Sequence, residues 1–128
     1  MGLSIDELRV RGKSVDKESE KQMKMIERLL REMRASISPN IPVQMVHTLV
    51  VVALNEGKCL TEITKLTAGK VSTTSRHLLD LGIRNRKKEP GYGLINCETD
   101  AVELRKNNYF LTTRGKLLMR QLAITLEG

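Results

Sequence analysis

The sequence predicts a mainly α-helical fold that carries a small β-hairpin, and three observations predict it. Four segments, residues 14–37, 42–55, 62–81 and 113–128, have the apolar spacing or the boundary signals of helices. Two short segments, residues 94–97 and 108–112, have the composition of strands and flank a polar stretch. Hydrophobic residues make up 40% of the 128-residue chain and charged residues 29%, which is typical of a globular domain.

The chain begins with an arm and a long amphipathic helix. Residues 1–13 are expected to form a flexible N-terminal arm or a short helix bound to a partner. Ser14 or Asp16 can cap the helix that follows, which we place at residues 14–37. One face of this helix is apolar, and the opposite side alternates acids and bases. The apolar stripe consists of Met23, Ile26, Leu29, Leu30, Met33 and Ile37. Such a stripe needs a packing partner, and a second copy of the chain is one candidate.

A second helix is predicted from Pro42 to Asn55. Its β-branched run Val50–Val52 would also fit a buried strand, but a length of fourteen residues favours a core helix. We expect His47 to be a core or boundary residue rather than a ligand, because no partner lies at metal-binding spacing. Residues 58–60 then form a short link or a strand of two or three residues.

Residues 62–81 have the pattern of two short helices around a turn. Gly69 can adopt the positive φ that ends the first helix. On the second helix, Val71, Thr74, Leu78 and Leu81 recur at three- and four-residue steps, which is the spacing of a buried face. The outward side then carries Lys70, Ser72, Thr73, Arg76 and His77. Small polar side chains and an arginine suit a DNA major groove, so the pair resembles a helix-turn-helix. A helical hairpin with a solvated polar face is the alternative.

The charge distribution favours the helix-turn-helix. The net charge is +7 and the pI about 9.7, which points to a polyanionic partner. Between positions 65 and 88 there are seven Lys or Arg residues against one acid, Asp80. Aromatic residues are scarce, which disfavours binding of single strands by base stacking. No segment approaches the length of a membrane span, so no membrane partner is expected.

The remainder of the chain predicts a basic loop, a hairpin and a last helix. Residues 82–93 combine cations with Pro and Gly, as in a loop or a frayed helix end. Strands at 94–97 and 108–112 enclose a charged tip, and Thr112 or Thr113 can cap the last helix. Its apolar stripe is Leu117, Leu118, Leu122 and Leu126. Apolar stripes on both terminal helices suggest a dimer.

Four motifs in register resemble the multiple-antibiotic-resistance regulator (MarR) family of winged helix-turn-helix proteins. The motifs are Glu62-Ile63-Thr64, Ser72-Thr73-Thr74-Ser75-Arg76, Gly93-Leu94-Ile95 and Leu111-Thr112-Thr113-Arg114-Gly115. They are similar to the family's Glu-Leu-Ala, Ser-Thr-Val-Thr-Arg, Gly-Leu-Ile and Leu-Thr-x-x-Gly. Two departures stand out: Glu103-Leu104-Arg105 replaces the usual Asp-Arg-Arg of the wing, and the segment between Leu81 and Gly93 is longer.

The resemblance implies a winged helix-turn-helix with N- and C-terminal dimerisation helices that binds double-stranded DNA as a homodimer. It divides the chain into an arm (1–13), an N-terminal dimerisation helix (14–37), a DNA-binding domain (38–112) and a C-terminal dimerisation helix (113–128). The recognition-helix contacts would be Lys70, Ser72, Thr73, Ser75, Arg76 and His77. The basic loop and wing would add Arg84, Arg86, Lys87, Lys88, Arg105, Lys106 and Asn107. The dimer interface would use Met23, Ile26, Leu29, Leu30, Met33, Leu118 and Leu122.

Other functions are less well supported by the residues. We expect no enzymatic activity, no cofactor and no metal, because neither histidine has a plausible catalytic partner. Cys59 and Cys97 fit a reducing, cytoplasmic setting and are expected to be small half-buried residues, although a redox-sensing Cys97 is the alternative. A small-molecule effector is not expected, since few aromatics could line its pocket. Two alternative functions stay open: a protein-interaction module, with a polymerase or nucleoid protein as partner, and a non-specific duplex-binding accessory in replication or packaging.

Overall fold

The computed structural model describes residues 15–83 and 89–127, together with Gly2 and Lys87. These residues form five helices and three strands in the predicted order, which confirms the mainly α fold with a small β-hairpin. The elements are α1 (Lys17–Ser36), α2 (Val43–Leu54), β1 (Lys58–Cys59), α3 (Leu60–Thr67), α4 (Val71–Leu81), β2 (Ile95–Thr99), β3 (Asn107–Leu111) and α5 (Thr113–Glu127). Apart from Gly2, the predicted arm (residues 1–13) and the candidate cap Ser14 lie outside the described residues. None of the helices described here is long and apolar enough to cross a membrane.

Helix α1 starts at a side-chain cap and packs along α5. The carboxylate of Asp16 accepts a hydrogen bond from the Ser19 backbone N–H at 2.7 Å. Hydrogen bonds from Ser19 lower the pKa of Asp16, since they favour the ionised form that caps the helix. At the other end of α1, Met33 enters the core beside α5 residues Leu118 and Leu122. The apolar stripe of α1 is therefore covered at its C-terminal end by the chain itself.

Helix α2 lies at the centre of the fold, against α3, α4, β3 and α5. Its buried side is formed by Met45, Thr48, Leu49, Val51 and Val52. The β-branched run is thus a helix, as its length predicts, because packing on several sides outweighs the weak strand preference of valine. His47 was expected in the core or at its boundary, and that prediction is wrong: its side chain is exposed. The buried positions on either side of it point into the core, which leaves His47 on the solvent side of the helix.

The three strands form one antiparallel sheet in the order β1–β3–β2. Ile95 pairs with Leu111 at the base of the β2–β3 hairpin, and Thr99 pairs with Asn107 near its tip. Cys59 is half-buried, as expected, but Cys97 is exposed. The expectation of a half-buried Cys97 fails because every β2 residue after Ile95 is exposed. The hairpin therefore extends from the body of the protein as a wing.

The turn between α3 and α4 differs from its prediction in one respect. Ala68, not Gly69, adopts the left-handed conformation, with φ of 54°. A Cβ at Gly69 would lie 2.8 Å from Nε2 of Gln44, the end of a flexible and exposed side chain that can move aside. The turn therefore requires glycine at position 69 neither for its φ angle nor for packing.

Two predicted apolar stripes are partly exposed. On α4, Thr74, Leu78 and Leu81 are buried as predicted, but Val71 is 52% exposed because it occupies the first helical position, at the end of the packed segment. On α5, Gly115, Leu118 and Leu122 form the buried line. Leu117 lies about 100° around the helix from Leu118 and is exposed. Leu126 continues the line through Leu118 and Leu122, but it is 39% exposed because it lies in the last turn of α5, beyond the packed segment.

Candidate nucleic-acid interface

The solvent side of α4 is polar and cationic. Lys70, Ser72 and Arg76 are exposed, and three further predicted contact residues are half-buried: Thr73, Ser75 and His77. On the opposite side, Thr74, Leu78 and Leu81 are at most 2% exposed. The sequence predicted this division, and the structure brings all six predicted α4 residues to the accessible part of the helix. Their hydroxyl, guanidinium and ammonium groups can all donate hydrogen bonds to nucleic acid.

Helix α3 is fixed at its start by its own glutamate. The Glu62 carboxylate accepts a hydrogen bond from the Cys59 backbone N–H at 3.2 Å and lies 3.5 Å from Lys58 Nζ. Hydrogen bonds from the Cys59 thiol and backbone, together with the Lys58 charge, lower the pKa of Glu62. The carboxylate therefore stays ionised and caps the first helix of the pair. This arrangement holds α3 as a support for α4.

His77 lies in a partly desolvated position on α4. Its Nδ1 atom is buried and has no hydrogen-bond partner among the described residues. Desolvation lowers the pKa of His77, the neighbouring Arg76 charge lowers it further, and Asp80 opposes them. At neutral pH the imidazole is therefore neutral. His77 was predicted to lie near phosphates, and in its neutral form it could serve there as a hydrogen-bond donor rather than as a cation.

Backbone hydrogen bonds tie the end of α4 to the start of the wing. The N–H groups of residues 91–94 donate to the carbonyls of residues 80–83: Gly91 to Ile83 at 2.9 Å, Tyr92 to Asp80 at 2.9 Å, Gly93 to Gly82 at 2.9 Å and Leu94 to Leu81 at 2.8 Å. A Cβ on Gly91 would lie 2.3 Å from the Gly82 carbonyl oxygen, so this approach requires glycine. These hydrogen bonds hold together the two chain segments on either side of the basic segment.

Thr112 connects the wing to α5. Its hydroxyl donates to the Gly93 carbonyl at 2.7 Å and accepts from the Gly115 N–H at 3.0 Å, which makes it the cap of the last helix. Its own N–H donates to the Leu94 carbonyl at 3.0 Å. Of the two predicted caps, Thr112 is the one used. The end of α4, the wing and α5 are therefore joined by hydrogen bonds.

Asp100 organises the tip of the wing, a role that the sequence reasoning missed. Its Oδ1 accepts hydrogen bonds from the N–H groups of Val102 at 2.9 Å and Glu103 at 3.0 Å, and its Oδ2 accepts from Asn108 Nδ2 at 3.0 Å. These bonds lower the pKa of Asp100 to about 2. An aspartate that opens a turn is a recognised signal for such bonds, and it was available at this position.

The predicted wing and loop cations differ in how the structure describes them. Arg105 and Asn107 are exposed at the wing, and Lys106 is partly exposed with its Nζ 3.9 Å from Glu103 Oε2. In the basic loop, Lys87 is exposed. Arg84, Arg86 and Lys88 lie outside the described residues.

The residues predicted for the dimer interface divide into two groups. Met33, Leu118 and Leu122 are buried in the core of the chain itself, at 8%, 6% and 6% exposure. Leu29 is half-buried against that core. Met23, Ile26 and Leu30 are 47%, 44% and 46% exposed. Among the residues predicted for the interface, Met23, Ile26 and Leu30 are therefore the ones that present their apolar surface to solvent.

The architecture is similar to that of solved structures, two of which are complexes with DNA. The structure of MepR from S. aureus in complex with DNA matches with a TM-score of 0.67 and 21% identity, over 85% of this chain and 81% of that one. FabT from Streptococcus pneumoniae, also in complex with DNA, matches with a TM-score of 0.62 and 19% identity, over 86% and 70%. A MarR family transcription regulator matches with a TM-score of 0.57 and 19% identity, over 84% and 62%.

The chain has the MarR-like winged helix-turn-helix fold. At these identities the likeness shows the fold, and the fold by itself does not determine function. No protein-family model and no curated protein matches the sequence. In the terms of this MarR-like fold, α3 and α4 are the helix-turn-helix, and β2 with β3 forms the wing.

Proposed function

We propose that the chain is a cytoplasmic, double-stranded DNA-binding transcriptional regulator that acts as a homodimer. The observation that carries the proposal is the solvent face of α4, where Ser72, Thr73 and Arg76 project from a helix whose other side is buried. A binding role suits these donors and cations better than catalysis, so we propose no enzymatic step. The structural likeness to MepR and FabT, both solved with DNA, supports the same proposal.

In the proposed complex, each recognition helix enters a major groove. Ser72 and Thr73 are short enough to let the helix backbone approach the bases, and Arg76 can bond guanine O6 and N7 together. Lys70 and His77 would contact phosphates, as would the basic loop from 84 to 88. Such phosphate contacts fix the position of a protein on DNA without reading its sequence. Arg105 and Lys106 of the wing would lie toward the neighbouring minor groove.

The proposed dimer follows from the apolar surface that remains on α1. Met23, Ile26 and Leu30 are spaced by three and four residues and share one exposed side of the helix. A second copy packed on this side would bury them. A two-fold dimer would then place its recognition helices on half-sites about 34–36 Å apart, roughly one turn of DNA.

A salt-dependent binding assay tests the proposed function. Fluorescence anisotropy would be measured between about 50 and 200 mM salt, with duplexes selected from a random pool and with unselected duplexes. A regulator binds the selected duplexes more tightly and retains this preference as salt rises. Equal affinity for both sets would instead indicate a non-specific architectural role. No binding at low salt would contradict the proposal and favour a protein partner.

A further inference from the structure

The wing tip presents two aliphatic side chains that the proposed contacts do not use. Val102 is 90% exposed and Leu104 is 79% exposed. An open cleft of about 930 Å³ separates this segment from the start of α3, so neither side chain rests on the core. Single exposed aliphatic residues are ordinary on protein surfaces. Here, however, two of them are positioned on one short turn beside the cation Arg105.

The turn that carries them is held by backbone and side-chain hydrogen bonds. Asp100 accepts from the N–H groups of Val102 and Glu103 at 2.9 and 3.0 Å. Its own N–H donates to the Lys106 carbonyl at 2.8 Å, and the Lys106 N–H donates to the Glu103 carbonyl at 3.0 Å. A turn fixed in this way loses little conformational entropy when it binds. Its aliphatic side chains are therefore pre-positioned for a contact outside the chain.

The charges at the tip favour DNA as that contact. Arg105 is exposed, and a guanidinium is attracted to the negative potential of a narrow minor groove. Of the two acids nearby, Glu103 lies 3.9 Å from Lys106 Nζ, and the Asp100 carboxylate is engaged by the N–H groups of Val102 and Glu103 and by Asn108. Leu104 is the chain neighbour of Arg105 and is exposed, so a groove that held the guanidinium would also meet this aliphatic side chain.

We propose that Leu104, supported by Val102, acts as an apolar wedge that enters the minor groove and partly unstacks one base step. The inference rests on the proposed DNA-binding function and adds a bend in the duplex to it. Inserted aliphatic side chains bend duplexes toward the major groove. Pyrimidine–purine steps kink most easily, so the wing selects a TA or CA/TG step at a fixed distance from the bases read by α4. This makes Leu104 a specificity-determining residue that forms no hydrogen bond to a base.

The test compares Leu104→Ala with Leu54→Ala in the full chain. Leu54 is 78% exposed at the end of α2, so the control removes an aliphatic side chain of equal exposure. The duplexes are those selected from random DNA by the unmodified chain. Energy transfer between dyes at the two duplex ends reports the bend, and 2-aminopurine fluorescence at the step under the wing reports unstacking. Unchanged thermal unfolding of both variants shows that each is folded.

We expect the unmodified chain and Leu54→Ala to bend the duplex and to raise the 2-aminopurine signal. Leu104→Ala should lose both signals and bind about tenfold more weakly, as expected for one lost aliphatic contact. Its salt dependence should not change, because leucine neutralises no phosphate; Arg105→Ala should lower the salt slope instead. Equal bending and affinity for Leu104→Ala would overturn the wedge, as would tight binding of a straight duplex. If the unmodified chain binds no duplex at low salt, the proposed function fails as well.

Discussion

Asp100 shows how one side chain sets the geometry of the wing. Its carboxylate accepts three hydrogen bonds across the tip, and these bonds hold its pKa at about 2. Because the folded-state pKa is depressed below the ordinary value of 3.8, this contribution to stability is present above about pH 4. It is lost as the pH falls through about 2.

We predict that Asp100→Ala loosens the tip while the rest of the domain stays folded. The amides of Val102 and Glu103 lose their acceptor, so their hydrogen exchange should accelerate, whereas amides of α2 should not change. Asp100→Asn keeps one acceptor oxygen and should retain most of the protection. Unchanged exchange at Val102 and Glu103 in Asp100→Ala would contradict the account of the turn.

His77, on α4, makes the stability of the fold depend on pH. Its folded-state pKa is lowered, mainly by desolvation, so the unfolded chain binds a proton at a higher pH than the folded chain does. The contribution of the neutral imidazole to stability is therefore complete above pH 6.5 and is lost as the pH falls below 6.5 toward the folded-state pKa.

We expect urea unfolding between pH 7.5 and 5.5 to show this loss, and His77→Gln to reduce it. His47→Gln is the matched control, since His47 is exposed on α2. If His77→Gln and the unmodified chain lost stability equally over this range, another group would be responsible and His77 would not be desolvated.

At the scale of elements, the buried sides of helices could be predicted where packing is continuous. Leu78, Leu81 and Leu122 follow the 3.6-residue period and are buried. Val71 and Leu126 also follow this period, but both are exposed because they lie at helix ends, where the neighbouring element no longer covers them, and the period alone does not show where that happens. The fold class followed from the order of elements and was confirmed.

Other features of the candidate site had weak or misleading signals. A glycine next to a helix end suggested positive φ at Gly69, while the structure has this conformation at Ala68. The hydrogen bonds between residues 80–83 and 91–94 join backbone groups, and Gly91 is the one residue there whose identity points to them. The composition of the basic loop therefore could not predict that its two ends are joined.

Helix α5 packs so closely on the wing that Gly115 cannot carry a side chain. A Cβ there would lie 2.1 Å from the Leu94 carbonyl oxygen. Alanine has the higher helix propensity by about 1 kcal/mol, yet we predict that Gly115→Ala lowers the free energy of unfolding by roughly 1–3 kcal/mol. Chemical denaturation measures this change. Lys116→Ala, at the exposed neighbouring position, should be neutral or slightly stabilising; a stabilised Gly115→Ala would show that the helix and wing are further apart.

For the whole molecule, the proposed dimer uses the exposed side of α1. We predict that Ile26→Glu places a charge in the interface and yields a monomer in sedimentation equilibrium. Loss of the second DNA contact should then weaken duplex binding about a hundredfold. Lys21→Glu places the same side chain at an exposed position on the opposite side of α1 and should remain dimeric. A dimeric Ile26→Glu with full affinity would place the interface elsewhere.

The central claim is that the outward face of α4 reads the sequence of a double helix. Selection of bound sites from random duplex DNA by the unmodified chain, Arg76→Ala and Lys87→Ala tests it most directly. We predict an enriched two-fold motif for the unmodified chain. Arg76→Ala should relax the preference at one position per half-site and cost about 1–3 kcal/mol, whereas Lys87→Ala should keep the motif and mainly lower the salt slope. An identical motif and affinity for Arg76→Ala, or no enrichment by the unmodified chain, would contradict the account.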